Sequence, residues 1–502
     1  MTTPPTTPDP DPVVAAPTYL ADIRTYFRPE DVAHMATKGI DLGTYDGVKQ
    51  NALTIFAHTS PPNAGMPPDA AGKWSANRSQ TFKNWIVNGF PLGTSTPVTT
   101  PPGGAAPARL RKDVTTLTDA EFALLTTAFN GVMARSSTAP DGYFTLAGQH
   151  GLPKAWCLHH EPRFNPWHRV YLREFEDALR SVPGCQDVTL PYWDISTPLP
   201  DRLQHPPFDQ YVLPADPGAT ATPPVTGLFP YTTERYPVAE ITANVTSFGV
   251  LDDIATSMAQ SLWGASDING YQKFSIQAHD SGHGSVGPTM GVQEVSAFDP
   301  VFWFFHCNID RLWLRWQHLN TATTLAGFRT TLAGGDDSWL TDPNFNPLPP
   351  FTATADQTIA TDIGYDRLDL PPAPAETLME NLSGSIDAAR TFSFRSADPV
   401  SVRVKGINRL NIPGSFVVSL LADGEPVAKR FFFQPNNPRQ CETCAKHATV
   451  NIDFRLTREQ VLDRTLSVRI DVPGHSEKVG TAFPLAQAGH PTVNARLLAG
   501  EA

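Results

Sequence analysis

Hydrophobic residues with helical spacing run through the middle of the chain, from about residue 110 to 320. Thr118 and Glu121 have the spacing of a capping box and predict a helix start. Asp299 and Pro300 predict another, as N-cap and first helical residue. Between these starts, four apolar residues recur at helical spacing in a largely charged stretch: Val170, Leu172, Phe175 and Leu179. The pattern predicts a mainly helical body.

From about residue 390 the pattern changes to short runs rich in β-branched and aromatic residues, which are typical of strands. Six such runs are predicted at 391–395, 401–404, 416–420, 428–433, 449–456 and 466–472. The tetrapeptide from Ala422 to Glu425, with Asp423-Gly424 at its centre, predicts a hairpin turn. We therefore expect a C-terminal all-β domain, built as a sandwich or a barrel.

Stretches rich in Pro, Thr and Gly suggest where the chain divides. Two of them, at 91–107 and 199–230, are predicted to be a surface loop and a long insertion. The predicted division is a disordered terminus at 1–18, a helical domain at 19–340, a Pro-rich linker at 341–389 and the β domain at 390–502.

Composition argues against several classes of protein. The net charge is −12 and no basic stripe is present, which argues against a nucleic-acid partner. Five cysteines in 502 residues do not make a disulfide framework. The N-terminus lacks the features of a signal peptide, and no apolar run is long enough to span a membrane. The expectation is a cytoplasmic protein without a membrane partner; export by a partner protein and the oligomeric state stay open.

Six histidines in two clusters carry the candidate chemistry: His150, His159 and His168, then His279, His283 and His306. The first three are nine residues apart. His279 and His283 are four apart, so a helix would put both rings on one face. Imidazole is a common ligand of transition metals. Two sets of three predict two metal ions, each with open positions for a small molecule. For His160 we expect a solvated loop position, although a supporting role beside the metals is the alternative.

The donor types favour copper. Di-iron bundles use Glu ligands and Glu-x-x-His pairs, and none has that spacing here. An all-imidazole set suits zinc or copper, and copper ranks higher in the divalent series. A dinuclear zinc hydrolase is the alternative, although no bridging carboxylate is evident.

Several longer motifs resemble the tyrosinase family of type-3 copper proteins. They occur in the family's order, at residues 144–153, 157–159, 164–169, 190–194, 297–303 and 306–313. The resemblance covers roughly 144–317 and implies a mainly α catalytic domain, a four-helix bundle with long loops around a dicopper site. It implies that His150, His159 and His168 hold one copper ion (CuA) and that His279, His283 and His306 hold the other (CuB).

The resemblance also assigns supporting residues. Cys157 matches a cysteine that forms a thioether with a copper-binding histidine, here His159; a free buried thiol is the alternative. Phe302 matches a phenylalanine that packs against the copper-binding rings. Asp280 stands where the family often has Asn. Asp280 is a candidate general base, or else a helix residue bonded to a backbone N–H.

Similar proteins bind O2 between two copper ions and oxidise o-diphenols to o-quinones, and some first hydroxylate monophenols. We expect a catechol oxidase or tyrosinase-type polyphenol oxidase acting on O2 and small phenols. Diphenol oxidation is the better supported activity, because Ser275 and Ile276 occupy the places where monophenol-hydroxylating members often have Glu. The alternative is a hemocyanin-like protein that binds O2 without turnover.

The resemblance extends to regulation. Family members with a C-terminal β domain are often latent until that domain is displaced. One ring of Phe431, Phe432 or Phe433 is a candidate to enter the copper site, with core packing as the alternative. Cys441 and Cys444 form a CxxC motif, which in some fungal members is linked to copper loading; a local disulfide or half of a zinc site are the alternatives.

Overall fold

The computed structural model describes residues 11–36, 38, 40–59, 66–67, 72–88, 90–91, 109–152, 155–213, 231–264, 270–368, 399–473 and 482–497. The predicted strand at 391–395, most of the predicted loop at 91–107, part of the insertion (214–230) and the second half of the predicted linker lie outside these residues.

Fifteen α-helices occur in the described residues, and short 3₁₀ turns connect several of them. They are α1 Pro29–Ala36, α2 Tyr45–Gln50, α3 Ala52–Thr59, α4 Ala76–Val87, α5 Asp119–Met133, α6 Tyr143–Gly151, α7 Phe164–Arg180, α8 Val238–Ser247, α9 Val250–Ala259, α10 Gly270–Val286, α11 Val301–Leu319, α12 Leu325–Thr330, α13 Ser338–Thr341, α14 Glu442–Lys446 and α15 Arg458–Val461.

Ten strands occur in the described residues, and most of them belong to the C-terminal part. They are β1 Arg109–Arg111, β2 Val212–Leu213, β3 Tyr231–Thr232, β4 Ile363–Tyr365, β5 Pro399–Asn408, β6 Phe416–Ala422, β7 Glu425–Phe432, β8 Thr449–Thr457, β9 Leu466–Asp471 and β10 Thr492–Leu497. The predicted fold class, a helical body followed by an all-β domain, is confirmed.

The helical body is organised around α10 and α11, whose side chains are almost all buried. Both predicted helix starts are present. Thr118 caps α5 with the reciprocal Glu121 bond of a capping box. The carboxylate of Asp299 accepts the backbone N–H of Val301 at 2.9 Å, which is the predicted N-cap contact, although α11 itself is assigned from one residue later, Val301. A helix start read from a cap residue is reliable to about this margin.

Buried ion pairs connect α7 and α11 to the segments around them. One carboxylate oxygen of Asp310 accepts from Arg169 Nε at 2.6 Å, and the other accepts from the Tyr365 hydroxyl at 2.6 Å. Arg111 donates to Glu176 at 2.9 Å and lies 3.4 Å from Asp310. Because an unpaired buried charge is costly, this network fixes the two helices relative to each other.

The C-terminal domain is a sandwich of two three-stranded antiparallel sheets, ordered β10-β5-β8 and β7-β6-β9. Its core takes apolar side chains from both sheets and is separate from the core of the helical body. The predicted hairpin turn joins β6 to β7, where Asp423 and Gly424 both have positive φ, as a type I′ turn requires.

Two predicted boundaries differ from the observed packing. Residues 11–18 were expected to be disordered, but Thr81 accepts the N–H of Val14 and Asn84 donates to its carbonyl, which holds this segment along α4. Residues 341–368 were expected to be linker. They pack on the helical body because they bury Leu348 and Ile359 and pair β4 with β1.

The N-terminal helices α1–α4 have a small core of their own, built around Phe82 and Trp85. Arg24 attaches this unit to the helical body by donating to the Met258 carbonyl at 2.6 Å and to the Asn320 side chain at 2.8 Å. No helix of the described residues has the length and apolar character that a bilayer crossing needs.

Candidate functional site

Four helices of the body carry five of the six predicted histidines. His150 lies near the end of α6, His168 in the second turn of α7, and His306 in the second turn of α11. His279 and His283 lie one turn apart on α10, as their spacing predicts. His159 lies in the turn before α7 and completes the set.

All six rings are buried and converge in the centre of the body. Within the first set the ring centroids are 4.9–5.8 Å apart. Within the second set they are 4.5–5.2 Å apart. The ligand nitrogens of His279, His283 and His306 lie within 4.8 Å of one another. Two further groups of this kind combine rings from both sets, so the two predicted sites adjoin each other.

Most of these rings use one nitrogen to hold their orientation. Nδ1 of His168 donates to the Phe164 carbonyl at 2.8 Å, Nδ1 of His283 donates to the Met290 carbonyl at 2.7 Å, and Nδ1 of His279 faces Asp280 Oδ1 at 2.9 Å. A bond at Nδ1 fixes the tautomer and leaves Nε2 as a free ligand atom.

The opposite nitrogens form the inner surface of the site. Nε2 of four rings has no hydrogen-bond partner among the described residues: His150, His159, His168 and His279. Nε2 of His283 and His306 face each other at 3.1 Å. A buried polar atom without a partner costs about 1–3 kcal/mol, and several in one place indicate a ligand. Inward-facing imidazole nitrogens without a carboxylate among them suit copper.

Burial keeps these imidazoles neutral. Desolvation lowers the pKa of His168 and of His283 to about 3, although a backbone carbonyl opposes the shift in each case. For His150, His159, His279 and His306 desolvation and the neighbouring rings lower the pKa well below its usual value. Neutral rings have the lone pair that a metal ion needs.

Aromatic side chains enclose the rings. Phe302 stacks on His306 with centroids 4.0 Å apart and meets His150 edge-on at 4.8 Å. Phe305 meets His283 edge-on at 5.3 Å. The contact predicted for Phe302 is therefore present, and these rings exclude water and restrict rotation of the imidazoles.

Cys157 lies beside His159, as the thioether prediction requires, but the two are not bonded in this structure. Its Sγ is 3.5 Å from Nδ1 of His159 and donates to the His150 carbonyl at 3.0 Å. Burial raises the pKa of the thiol, so the sulfur is protonated at neutral pH. The thioether stays a prediction, with sulfur and ring already adjacent.

Asp280 does not face the centre of the site. Its Oδ1 holds His279, and its Oδ2 accepts the backbone N–H of Phe433 at 3.1 Å. His160 lies 3.3 Å from the same Oδ2 and donates from Nε2 to the Phe433 carbonyl at 3.0 Å. The base role of Asp280 stays a prediction, and the geometry favours orientation of His279. The expectation of a solvated loop position for His160 is wrong, because the residue is only 7% exposed.

Phe433 covers the histidines. It follows β7 and is fully buried. Its ring stacks on His283 with centroids 4.1 Å apart and an interplanar angle of 16°. It meets His159 at 5.3 Å and His279 at 5.8 Å, so one ring contacts both predicted sites. Of the three phenylalanines predicted as candidates, Phe433 is the one that lies against the six predicted ligand histidines.

Buried polar contacts dock the β domain on α9 and α10. Arg430 pairs with Asp253 at 2.7 Å, and Lys273 pairs with Asp453 at 3.1 Å. The amide of Gln277 donates to the Asp453 carbonyl at 2.9 Å and accepts its N–H at 3.2 Å. Burial raises the pKa of Asp253 to about 6, with Arg430 acting against it. Removing one partner of such a buried pair leaves the other charge unpaired, which destabilises the docked form.

This pairing predicts an effect of Arg430. In R430M the Asp253 carboxylate stays buried without its guanidinium, and we expect docking of the β domain to weaken by about 3–5 kcal/mol. R464M is the matched control, since Arg464 makes an exposed pair with Asp423 in the same domain, worth about 0–1 kcal/mol. Urea unfolding of both full-length variants measures the difference, and equal losses would contradict the assignment.

Cys441 and Cys444 form a disulfide at the start of α14. Arg409 donates to Cys444 Sγ at 3.2 Å and stacks over Phe432, one residue before Phe433. A local disulfide was one of the predicted alternatives. Copper loading at this motif stays a prediction. It would require reduction of the disulfide, because the thiolate is the form of cysteine that binds a metal.

The profile described as the common central domain of tyrosinase matches residues 140–227 and 229–319 of this chain. This interval contains all six histidines. This central domain of the chain belongs to the tyrosinase family. Members of this family bind two copper ions through histidine side chains, and the histidine cluster described above is compatible with that cofactor.

Two kinds of protein are similar to this chain, tyrosinases and hemocyanins. A tyrosinase of Podospora anserina is 27% identical over 346 residues, 51% of this chain and 59% of that protein. Hemocyanin 1 of Megathura crenulata is 30% identical over 249 residues, 45% of this chain and 7% of that protein. The chain therefore spans less than two thirds of either relative. The family is an oxidase family that also includes hemocyanins, and these matches do not separate the two.

A solved tyrosinase of Burkholderia thailandensis has the same fold. Its TM-score is 0.54 at 19% identity, over 77% of this chain and all of that one. At this level of identity the match supports the fold alone.

Several residues at the site have no recognisable signal in the sequence. His160 has a positive φ of 59°, which turns its ring under the covering strand, and no pattern predicts that conformation. Asp253, Arg430 and Glu294 depend on partners that are far away in sequence. These residues come together only when the chain folds, so no local sequence pattern predicts their contacts.

Proposed function

We propose that this protein is a copper-dependent phenol oxidase that uses O2 to oxidise o-diphenols to o-quinones. The observation that carries the proposal is the group of buried, neutral imidazoles whose unpartnered nitrogens face one another. Two catechols would each lose two electrons and two protons, and one O2 would take all of them and become two waters.

In this proposal His150, His159 and His168 hold one copper ion, and His279, His283 and His306 hold the other. When bound, the copper pair supplies the electron transfer between phenol and O2. The protein fixes the rings through backbone carbonyls and Asp280, and it excludes water with Phe302 and Phe305.

The position of the Phe433 ring supports a phenolic substrate. A six-membered aromatic ring fits flat on His283 and in contact with both sets of histidines. We propose that a phenol ring takes this place once Phe433 has left it. We further propose that the protein is latent while the β domain is docked. Asp280 is proposed to orient His279, with diphenol oxidation as the activity and monophenol hydroxylation as an extension to be tested.

The function is tested by loading the reduced protein with copper, displacing the β domain and adding O2 with matched mono- and diphenols. We expect two copper ions per chain by elemental analysis, oxygen uptake, and quinone absorbance with 4-methylcatechol. Zinc in place of copper in the protein as purified, before any metal is added, would contradict the proposal and favour a hydrolase.

A hemocyanin-like O2 carrier is the second candidate, favoured by the identity to Hemocyanin 1 and by the covered site. The same experiment separates the two. A carrier would bind O2 reversibly and yield no quinone even with the β domain displaced, whereas an oxidase would consume O2 in proportion to the quinone formed.

The thioether is proposed to join Cys157 Sγ to a ring carbon of His159 in the copper-loaded protein. The sulfur is already 3.5 Å from Nδ1 of that ring. Oxidation by O2, the oxidant of the proposed function, would remove one hydrogen from each partner and reduce the O2 to hydrogen peroxide. We expect the peptide spanning both residues to be lighter by that hydrogen pair and to resist alkylation. C157S supplies the control, because its peptide cannot crosslink. Full alkylation of Cys157 in the copper-loaded protein would contradict the proposal.

A further inference from the structure

The site binds the main chain of Phe433 as well as its ring. Asp280 Oδ2 accepts the N–H of Phe433, and His160 Nε2 donates to the carbonyl of the same residue. Both side chains are more than nine-tenths buried. One acceptor and one donor are thus placed to bind the two polar groups that flank a single Cα, while the side chain of that residue lies on His283.

The pair is held in place by the helical body. Asp280 also accepts from His279, and His160 is 3.3 Å from Asp280, so the two side chains support each other without the β domain. Two residues earlier, the N–H of Phe431 points to Ser281 Oγ at 3.4 Å. Main-chain groups of alternate residues are therefore contacted, which is how an extended peptide is recognised on a protein surface.

We propose that, once the β domain is displaced, His160 and Asp280 bind the main chain of a phenolic residue within an extended peptide. The substrate class is then peptide-borne phenols, tyrosyl or dihydroxyphenylalanyl residues with an amide on each side. This inference rests on the proposed function and adds to it the class of phenol. In this view Phe433 occupies the site as such a residue would, but its ring has no hydroxyl group to oxidise.

The physical reason is that only a peptide-borne ring makes both main-chain contacts. A simple catechol covers His283 but makes neither hydrogen bond, so the N–H of His160 keeps only its 3.3 Å contact with Asp280 among the contacts described here. A peptide-borne ring adds one hydrogen bond to each of the two side chains. Sites built to bind a polar group discriminate strongly against ligands that lack it. His160 and Asp280 are thus specificity-determining residues, separate from the imidazoles that face the centre of the site.

The test measures binding without turnover, so it does not depend on oxidase activity. The full-length chain is folded with a protease recognition sequence between residues 380 and 390 and then cut, and its C-terminal piece is removed. The metal-free protein is titrated calorimetrically with N-acetylphenylalanine methylamide. We expect saturable binding that weakens about tenfold for the analogue methylated on the phenylalanine nitrogen, which cannot donate to Asp280.

His160 is tested with two variants. H160L removes the donor and is expected to weaken binding of N-acetylphenylalanine methylamide about tenfold. H160Q keeps an N–H donor and is expected to restore part of the affinity. Equal affinity for the amide and its methylated analogue, or no effect of H160L, would overturn the proposal and leave these bonds as contacts that only dock the β domain.

Turnover gives a second measurement on the cut, copper-loaded protein. We expect kcat/KM for N-acetyl-dihydroxyphenylalanine methylamide to exceed that for free dihydroxyphenylalanine and for 4-methylcatechol, with the ratio falling in H160L. Equal kcat/KM for all three would contradict the peptide class. If no catechol is oxidised while the amide still binds, the proposed function fails and the binding inference stands.

Discussion

Replacing His283 by alanine is expected to abolish phenol oxidation and to remove one of the two copper ions. His283 is fully buried, its Nδ1 is fixed by the Met290 carbonyl, and its Nε2 faces His306. Removing a residue that only supports a ligand typically costs roughly 10–100-fold in affinity or activity, and removal of a ligand exceeds that range. Elemental analysis and oxygen uptake measure the two effects.

H205A is the control for H283A. His205 has an exposed side chain and lies outside the converging set, so we expect this variant to bind two copper ions and to keep its activity. An H283A protein that retains two copper ions and oxidises 4-methylcatechol at the original rate would refute the proposed ligand set.

Replacing Phe433 by alanine is expected to activate the full-length protein. The change removes the ring that lies on His283 and leaves a cavity, which should weaken docking of the β domain by about 3–5 kcal/mol. If the closed form dominates, a loss of about 3 kcal/mol raises the uncovered fraction about 100-fold. We expect catechol oxidation to rise accordingly, up to the rate of the cut protein.

F416A separates this effect from general destabilisation of the sandwich. Phe416 is fully buried in the β domain and stacks on Phe432 but makes no ring contact with the six histidines. We expect F416A to lower the stability of the domain with a smaller rise in activity. Equal activation by both variants would show that the position of the Phe433 ring is not what limits access.

The helical pattern and the histidine spacing predicted much of the site because they are local features. Two histidines four residues apart share a helix face whatever surrounds them, and α10 bears this out for His279 and His283. The resemblance predicted the order of the motifs and the Phe302 contact, which rest on residues close together in the chain.

Contacts between residues far apart in the sequence could not be predicted from local patterns. Successive side chains of a strand point to opposite faces, but a run of three phenylalanines does not indicate which ring contacts a residue 150 positions away. The packing of β7 against α10 places the Phe433 ring on the histidines, and Asp280 and His160 bind the Phe433 main chain. The predicted linker differs from the structure at 341–368 for a related reason. Its prolines suggested a linker, whereas Ile359 and Tyr365 belong to the hydrophobic core of the helical body.

Burial of all six imidazoles beneath Phe433 also constrains the order of events during biosynthesis. A metal ion has no exposed ring to bind once the two domains have closed. The ribosome makes residues 109–368 before residues 399–497, and domains generally fold in the order of their synthesis. The nascent helical body therefore has an interval in which its histidines are accessible, and the length of that interval depends on how fast the last strands emerge.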